Sequence, residues 1–484
     1  MNHPVFHVFI LCVGILIAYF GTWNGYFLTV DDYLLTGLTK QRATLGEAAM
    51  GLENGVRYLT FAMIWVKTRL FDMNFAAWMW CGLLQHAIVT YLVYRFAEIM
   101  TKHRLIALLA ALLFAMKSSY WQILIGASAS DYSFWAIFHL LTVTLFAAFL
   151  HRRSRLAYVV SIGSYSILAF GHDFSLNVPL ILLAYHILVG RDDRSIRSLR
   201  LSELKIHFPY FIIWGIHVAL QLRYVLAGSS EAVFSEQAYG PGLHMIRNLY
   251  FLVFLVFPNI PIYSFLSRNV NPAVVNGIGI LTSVLAVIFH MVAIYLFWKG
   301  SRLVKFAVSM IYLPFLQYTL WGGDFAGVSR YLYLPSIGFS ILLALLLRQL
   351  YEYLQRKRWG RYRLIVFSIV ITILIFNVVT IQIWMNRHLS NSEFRRTFVN
   401  HLMAQYSNFD SNDRVYIEVS EDKYADLGFS CELVFENPPQ CEAVVTGERA
   451  MIDVIDDSVQ ESIYWLQVTS EGVIVQQFPP PSAN

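Results

Sequence analysis

Residues 364–385 read LIVFSIVITILIFNVVTIQIWM, 22 residues without an Asp, Glu, Lys or Arg. A helix of about 20 apolar residues crosses the hydrocarbon of a bilayer, because its backbone polar groups are all satisfied within the helix. This stretch is long enough to cross, and the rest of the chain repeats the pattern. Further apolar segments lie at 5–22, 76–98, 104–120, 132–150, 156–171, 175–190, 207–227, 275–298, 304–321 and 336–353. Composition agrees. Of 484 residues, 57% are hydrophobic and 14% charged, against about 25% charged in a soluble domain. A soluble cytosolic enzyme, a disordered chain and a nucleic-acid binder are excluded. The expected class is an α-helical polytopic membrane protein with about eleven transmembrane helices, or twelve if 245–266 also crosses. The N-terminal MNHPVFHVFILCVGILIAYF has neither a basic n-region nor a small-residue cleavage motif. It reads as the first span, not as a removed signal peptide.

Charge divides the chain at about residue 385. Residues 386–484 hold 16 Asp and Glu against 6 Lys and Arg, whereas residues 1–385 hold 15 against 30. The basic residues cluster in short loops: Lys102 and Arg104; Arg152, Arg153 and Arg155; Arg191 to Lys205; Lys299, Arg302 and Lys305; and Arg348 to Arg363. Such loops face the cytoplasm. All five fall on one side if the N-terminus is inside and the chain crosses eleven times, which also puts the acidic tail outside. Two segments strain that count. Residues 57–71 (RYLTFAMIWVKTRLF) are apolar but carry Arg57, Lys67 and Arg69, and read as an interfacial helix in the first outer loop. Residues 245–266 contain Pro258 and Pro261 and read as a re-entrant or interfacial segment. After Trp384 the alternating runs 414–420, 431–436, 441–447 and 465–478 predict a small C-terminal β-rich domain over 386–484. Cys12 and Cys81 read as packing residues in helices, and Cys431 and Cys441 as a candidate disulfide if the tail is outside.

Several polar groups gather at the predicted outer face. Asp31 and Asp32 follow the first span in GYFLTVDDYLL. Two adjacent carboxylates near a low-dielectric surface cannot both ionise comfortably, so one titrates high, as a general base requires. A solvated acidic cap is the plainer reading. Asp324 precedes SRYLYLP, in which Arg330 offers a planar fork to a phosphate and Tyr331 and Tyr333 offer rings to a lipid or sugar; the alternative is an aromatic-belt anchor with a snorkelling arginine. His172 and Asp173 sit at the outer end of the fifth segment, where helix capping competes with substrate contact. Arg57 and Asp131 complete the outer set, and His86 reads as a satisfied bundle histidine. No metal-binding HExxH, CxxC, P-loop or dinucleotide fingerprint occurs, so a soluble nucleotide-sugar donor has no visible docking site.

Five stretches, in order, carry a resemblance: GYFLTVDDYLL, the run from NGVRYLTF to YLVYRF, AALLFAMKSSYWQILIGASASDYSFW, FGHDFSLNVP and SRYLYLPSIGF. Together they resemble the GT-C superfamily of polytopic glycosyltransferases, near the protein O-mannosyltransferases and the transmembrane mannosyltransferases with tetratricopeptide repeats, here without the repeats. The resemblance covers about residues 1–190 and 320–345. It implies a polyprenyl-phosphate-linked sugar donor, transfer with inversion to a glycan, lipid or protein acceptor at the extracytoplasmic face, Asp32 or Asp31 as base, and Arg330 near the lipid phosphate. No cofactor is assigned with certainty, and a divalent metal stays open. The implied location is the inner (plasma) membrane; the missing Asn-x-Ser/Thr sequon points to bacteria. Where the family often carries Lys-Glu or His-Glu this chain has His172-Asp173, and for Glu-Arg-Tyr it has Ser329-Arg330-Tyr331, so donor and acceptor are not inherited. An O-antigen-type polymerase or ligase would be expected to carry paired arginines in a late loop. A non-enzymatic lipid or glycan transporter would be expected to show charges at mid-membrane.

Overall fold

The computed structural model describes residues 4–27, 39–40, 42–50, 57–190, 201–226, 242, 244–256, 272–319, 329–357, 361–405, 414–419, 440–445, 463–469 and 472–478. Asp31, Asp32, Asp324, Cys431, the 431–436 run and most of the basic cluster from Arg191 lie outside them. Every one of the eleven apolar segments falls on helix: α1 (Pro4–Ala18), α4 (Phe75–Thr101), α5 (Arg104–Ala115), α6 (Asp131–Arg152), α7 (Arg155–Ala169), α8 (Val178–Leu188), α9 (Phe208–Leu226), α11 (Pro272–Lys299), α12 (Arg302–Thr319), α13 (Tyr333–Arg356) and α14 (Tyr362–Gln405). Shorter helices are α2 (Leu45–Met50), α3 (Tyr58–Phe71) and α10 (His244–Tyr250). Among the described residues five helices are long and apolar enough to cross a membrane, and a bent pair makes a sixth. α11 and α14 turn Ile280, Met291, Trp298, Phe367 and Ile375 outward. Faces of this kind are what a bilayer covers. Cys12 also faces outward, where the sequence suggested packing.

Two of the basic clusters are tight helix–helix turns. α4 ends on Lys102 and α6 on Arg153, both left-handed (φ 54° and 55°), each returning its N–H to the carbonyl four residues back. Asn74 caps the start of α4 through Ala77 N–H, and Ser154 the start of α7 through Ala157 N–H. Glu98 gathers Arg95 (2.6 Å) and Arg104 (3.1 Å) across the first turn. Connections this short make α4/α5 and α6/α7 antiparallel neighbours.

The third segment is broken. α5 stops at Ala115, and a 3₁₀ run, Ser118–Leu124, leaves at 63°. Twelve residues rise only about 18 Å, so α5 is short of a bilayer by itself. The carbonyls freed at the break must find donors in an apolar interior. His86 Nε2 donates to Ala115 O (3.1 Å) while its Nδ1 accepts from the Tyr333 hydroxyl (2.8 Å), and the Tyr120 hydroxyl donates to Phe114 O. Asn377 Oδ1 accepts from Ser118 N–H and hydroxyl (3.0 and 2.9 Å). His86 is thus a satisfied bundle histidine, as its sequence setting suggested.

α14 runs 44 residues without interruption, past the membrane segment. Its C-terminal part clips residues 18–25: Gln382 donates to Ala18 O (3.0 Å), and Arg396 donates to Asn24 O (2.7 Å) and Gly25 O (2.6 Å). A Cβ on Gly25 would lie 2.6 Å from His388 Nε2, so only glycine allows this approach. In the tail, β1 (Arg414–Val419), β2 (Gln440–Val445), β3 (Ile463–Thr469) and β4 (Gly472–Phe478) form one sheet in the order β2-β1-β3-β4. β1 is parallel to β2 and β3; β3 and β4 form an antiparallel hairpin. The run 465–478 is therefore two strands, not one.

Candidate active site

α3 delivers Arg57. Leu59 N–H donates to Phe170 O (3.2 Å), and the Thr60 hydroxyl donates to Gly171 O, which fastens the start of α3 to the end of α7. Gly171 lies under Trp135, where a Cβ would come within 2.1 Å of the ring. Arg57, the residue before α3, then reaches Asp173 and forms an ion pair with its Oδ2. Asp173 opens a 3₁₀ turn, Asp173–Ser175, whose N-cap is His172: the imidazole Nδ1 accepts from Phe174 N–H (3.2 Å). The other carboxylate oxygen accepts from Gln221 Nε2 on α9 (3.4 Å).

These contacts decide the protonation states. Burial raises the Asp173 carboxyl, but the Arg57 guanidinium outweighs it and holds the group down at about 2. Burial pushes the His172 imidazole down to about 3; Arg57 adds to this and Asp173 opposes it. His172 is neutral, and Arg57–Asp173 is a charged pair.

The cluster extends through aromatic rings to Arg330. Tyr132, at the start of α6, meets His172 edge-on (centroids 4.9 Å apart) and carries the Arg330 guanidinium over its face at 5.5 Å. Arg330 also lies over Tyr331 (5.6 Å), which packs on Tyr318 (4.3 Å). Gln122 fixes this turn: its Oε1 accepts from the Ser329 hydroxyl (3.2 Å) and Arg330 N–H (3.4 Å). A planar cation held between rings beside a neutral imidazole and a second arginine suits an anionic oxygen group. Asp131 belongs to a different contact. Its carboxylate accepts from Lys67 Nζ (2.8 Å), and both side chains are buried, with Ser130 Oγ a further partner of the ammonium (3.2 Å). Among the described residues no group of three or more His, Cys, Asp or Glu is placed to hold a metal ion, and Asp131 and Asp173 each face a cation rather than another carboxylate. A cavity of about 530 Å³, lined by Leu183, Leu204, Lys205, His207, Phe208 and Phe211, lies away from this cluster and is almost wholly apolar.

No protein-family model and no curated protein matches the sequence. Solved structures do match. Over 96% of this chain and 92% of the other, it superposes on ArnT from Cupriavidus metallidurans bound to undecaprenyl phosphate, with a TM-score of 0.52 at 11% identity. The archaeal oligosaccharyltransferase AglB from Archaeoglobus fulgidus, in complex with an inhibitory peptide and a dolichol-phosphate, matches over 96% of this chain and 69% of that one, with a TM-score of 0.54 at 12% identity. The apo form of the Archaeoglobus fulgidus oligosaccharyltransferase is matched over 90% of this chain and 64% of that one, with a TM-score of 0.51 at 11% identity. The chain therefore shares the fold of ArnT and of the archaeal oligosaccharyltransferase.

In this chain, the expected outer residues divide. Arg57, His172, Asp173, Arg330 and Tyr331 come together; Asp131 lies with Lys67; Tyr333 is fully buried on His86; Asp31, Asp32 and Asp324 are outside the described residues. Sequence reading did not single out Gln122, Tyr132, Gln221 or Tyr318. For Gln221 a signal existed: Trp214, His217 and Gln221 recur at i, i+3 and i+7 on one face of an otherwise apolar helix.

Proposed function

We propose that this chain is an inverting glycosyltransferase that takes a sugar from a polyprenyl-phosphate carrier at the extracytoplasmic face of a cell membrane. The observation that carries the reading is the continuous contact from Arg57–Asp173 through His172 and Tyr132 to Arg330. The fold supports it, since structures with this fold were solved with undecaprenyl phosphate and with a dolichol-phosphate. In this reading Arg330 grips the donor phosphate, with the rings of Tyr132 and Tyr331 fixing the plane of its guanidinium. Asp32 or Asp31 takes the proton from the acceptor hydroxyl. That oxygen bonds to the anomeric carbon from the face opposite the phosphate, and the bond from that carbon to the phosphate oxygen breaks with its electron pair. Polyprenyl phosphate leaves, and its charge stays on Arg330. The flanks of the acidic pair suit this role. Phe27 packs on Phe75 and Trp78, Thr39 bonds to Thr68 on α3 (3.2 Å), and Trp78 also lies by Lys67. Phe27 and Thr39, the nearest described residues on either side of the acidic pair, are thus held on α4 and α3.

The tail, residues 386–484, is proposed as an extracytoplasmic acceptor-binding module. The test of the whole reading is transfer from a radiolabelled polyprenyl-phosphate sugar by the purified chain in reconstituted membranes. A protein that binds the carrier but never consumes the sugar-lipid would be a transporter instead.

A further inference from the structure

Beside the ion pair lies a concentration of buried polar atoms that the steps above leave unused. α9 turns Trp214, His217 and Gln221 toward the segment 173–177. Trp214 Nε1 donates to Leu176 O (3.0 Å), and Gln221 Nε2 donates to Asp173 Oδ1 (3.4 Å). His217 sits between these two anchors, 1% exposed. Its ring lies near the Ala169 carbonyl without reaching hydrogen-bond geometry, and neither nitrogen makes a hydrogen bond. Gln221 Oε1, Ser175 Oγ and Asn177 Oδ1 are likewise buried and make none, and Gln317 Nε2 lies near the Tyr318 hydroxyl without reaching hydrogen-bond geometry. Asn177 Nδ2 donates to Gln317 Oε1 (3.3 Å), so the last two amides are joined. Native proteins leave only a few such atoms per hundred residues. Here they collect on facing sides of one short segment, against the carboxylate that holds Arg57.

We propose that this face of α9, together with Asp173, Ser175, Asn177 and Gln317, is a subsite for the hydroxyls of an uncharged glycosyl group. The inference rests on the polyprenyl-phosphate sugar reading and names the sugar class within it. The chemistry of the set decides the ligand. Amide N–H and imidazole N–H are donors, amide oxygens are acceptors, and Ser175 is both. A hydroxyl donates and accepts at once, so neighbouring sugar hydroxyls fit a mixed array that a purely anionic or purely cationic group does not. Among the described residues of this face the one carboxylate, Asp173, already faces Arg57, so the set itself offers no free anion to an amino sugar and no free cation to a uronic acid. His172, in contact with Tyr132, joins the subsite to the arginine proposed to hold the phosphate.

The test uses the full chain in lipid nanodiscs with undecaprenyl-phosphate glucose and mannose as neutral donors, the glucuronic acid and glucosamine analogues as charged ones, and bare undecaprenyl phosphate as control. Gln221→Leu and His217→Phe should each raise the KM of the neutral donor accepted by the wild type about tenfold, the scale of one lost hydrogen bond. Affinity for bare undecaprenyl phosphate should change less than twofold. Both charged analogues should compete at least tenfold more weakly than the neutral donor against the unaltered protein, a measurement that no folding defect can confound. Equal competition by charged donors overturns the proposal. So does a pair of variants with wild-type KM, or an equal loss of bare carrier binding, which would mark a structural role. If the unaltered protein binds neither carrier nor sugar-lipid, the glycosyltransferase reading itself fails, a distinct result.

Discussion

Lys67 and Asp131 meet at 2.8 Å with each side chain only 6% exposed, a charged pair sealed between α3 and the start of α6. Two charges taken out of water tolerate the loss of one partner poorly. Lys67→Met alone, or Asp131→Asn alone, should lower unfolding stability in detergent by about 3–5 kcal/mol. The Lys67→Met/Asp131→Asn double variant should recover a large part of that. Denaturant titration of the four proteins measures the cycle; a double variant as unstable as the sum of the singles would show that the two charges do not act as a pair.

Acid should loosen the outer cluster in two stages. His172 goes from an ordinary 6.5 to about 3, and Asp173 from 3.8 to about 2. Both bind protons more readily unfolded than folded, so both stabilise the fold at neutral pH and lose that contribution as pH falls. The His172 part disappears between about pH 6.5 and 3, the Asp173 part between about 3.8 and 2. His172→Asn keeps an N-cap acceptor but cannot titrate. Its thermal midpoint should fall less than the wild type's between pH 6.5 and 4; parallel curves would refute the assignment.

Arg330→Ala should weaken carrier binding about tenfold or more, and Arg330→Lys should restore it only in part, because an ammonium lacks the planar fork that the rings of Tyr132 and Tyr331 hold flat. Equilibrium binding of undecaprenyl phosphate decides this. Full rescue by lysine would mean that charge alone matters at this position.

One of Asp31→Asn and Asp32→Asn should cut transfer by about 10²-fold or more with carrier binding kept, since the amide cannot take the acceptor's proton. Asp32 is the preferred position. Transfer at the wild-type rate by both variants would move the base elsewhere, to Asp324 first, because Asp173 is already committed to Arg57.

A reporter fused after Asn484 should report the extracytoplasmic side and one at Gln355 the cytoplasm. A cytoplasmic signal from the C-terminal fusion would break the eleven-span count and the side assigned to the cluster.

How far the sequence could be read depended on whether the physics was local. The 22 uncharged residues at 364–385 are helical because of their own composition, and the turns at Lys102 and Arg153 follow the loops that their basic residues marked. The break after α5 was not legible. Residues 104–120 look like one span, and the groups that make the bend tolerable come from far away: His86 is 29 residues from Ala115, and Asn377 is 259 from Ser118. The 465–478 run read as a single strand because its alternation in sequence continues from Thr469 to Gly472, the pair at which β3 and β4 meet in antiparallel register. In the cluster, charges stood out against an apolar chain, so Arg57, Asp173 and Arg330 were visible beforehand. Which carboxylate each cation would choose was not. Lys67 took Asp131 and Arg57 took Asp173 because α3 docks on the end of α7, a tertiary fact with no local trace.

The uninterrupted α14 has a mechanical consequence. Forty-four residues make a rod of about 66 Å, of which a bilayer's hydrocarbon takes about 30 Å; the remainder stands clear as a cantilever. Arg396, in its C-terminal part, grips the backbone of Asn24 and Gly25. A force that tilts this helix is therefore delivered as leverage on residues 18–25, where the first helix ends.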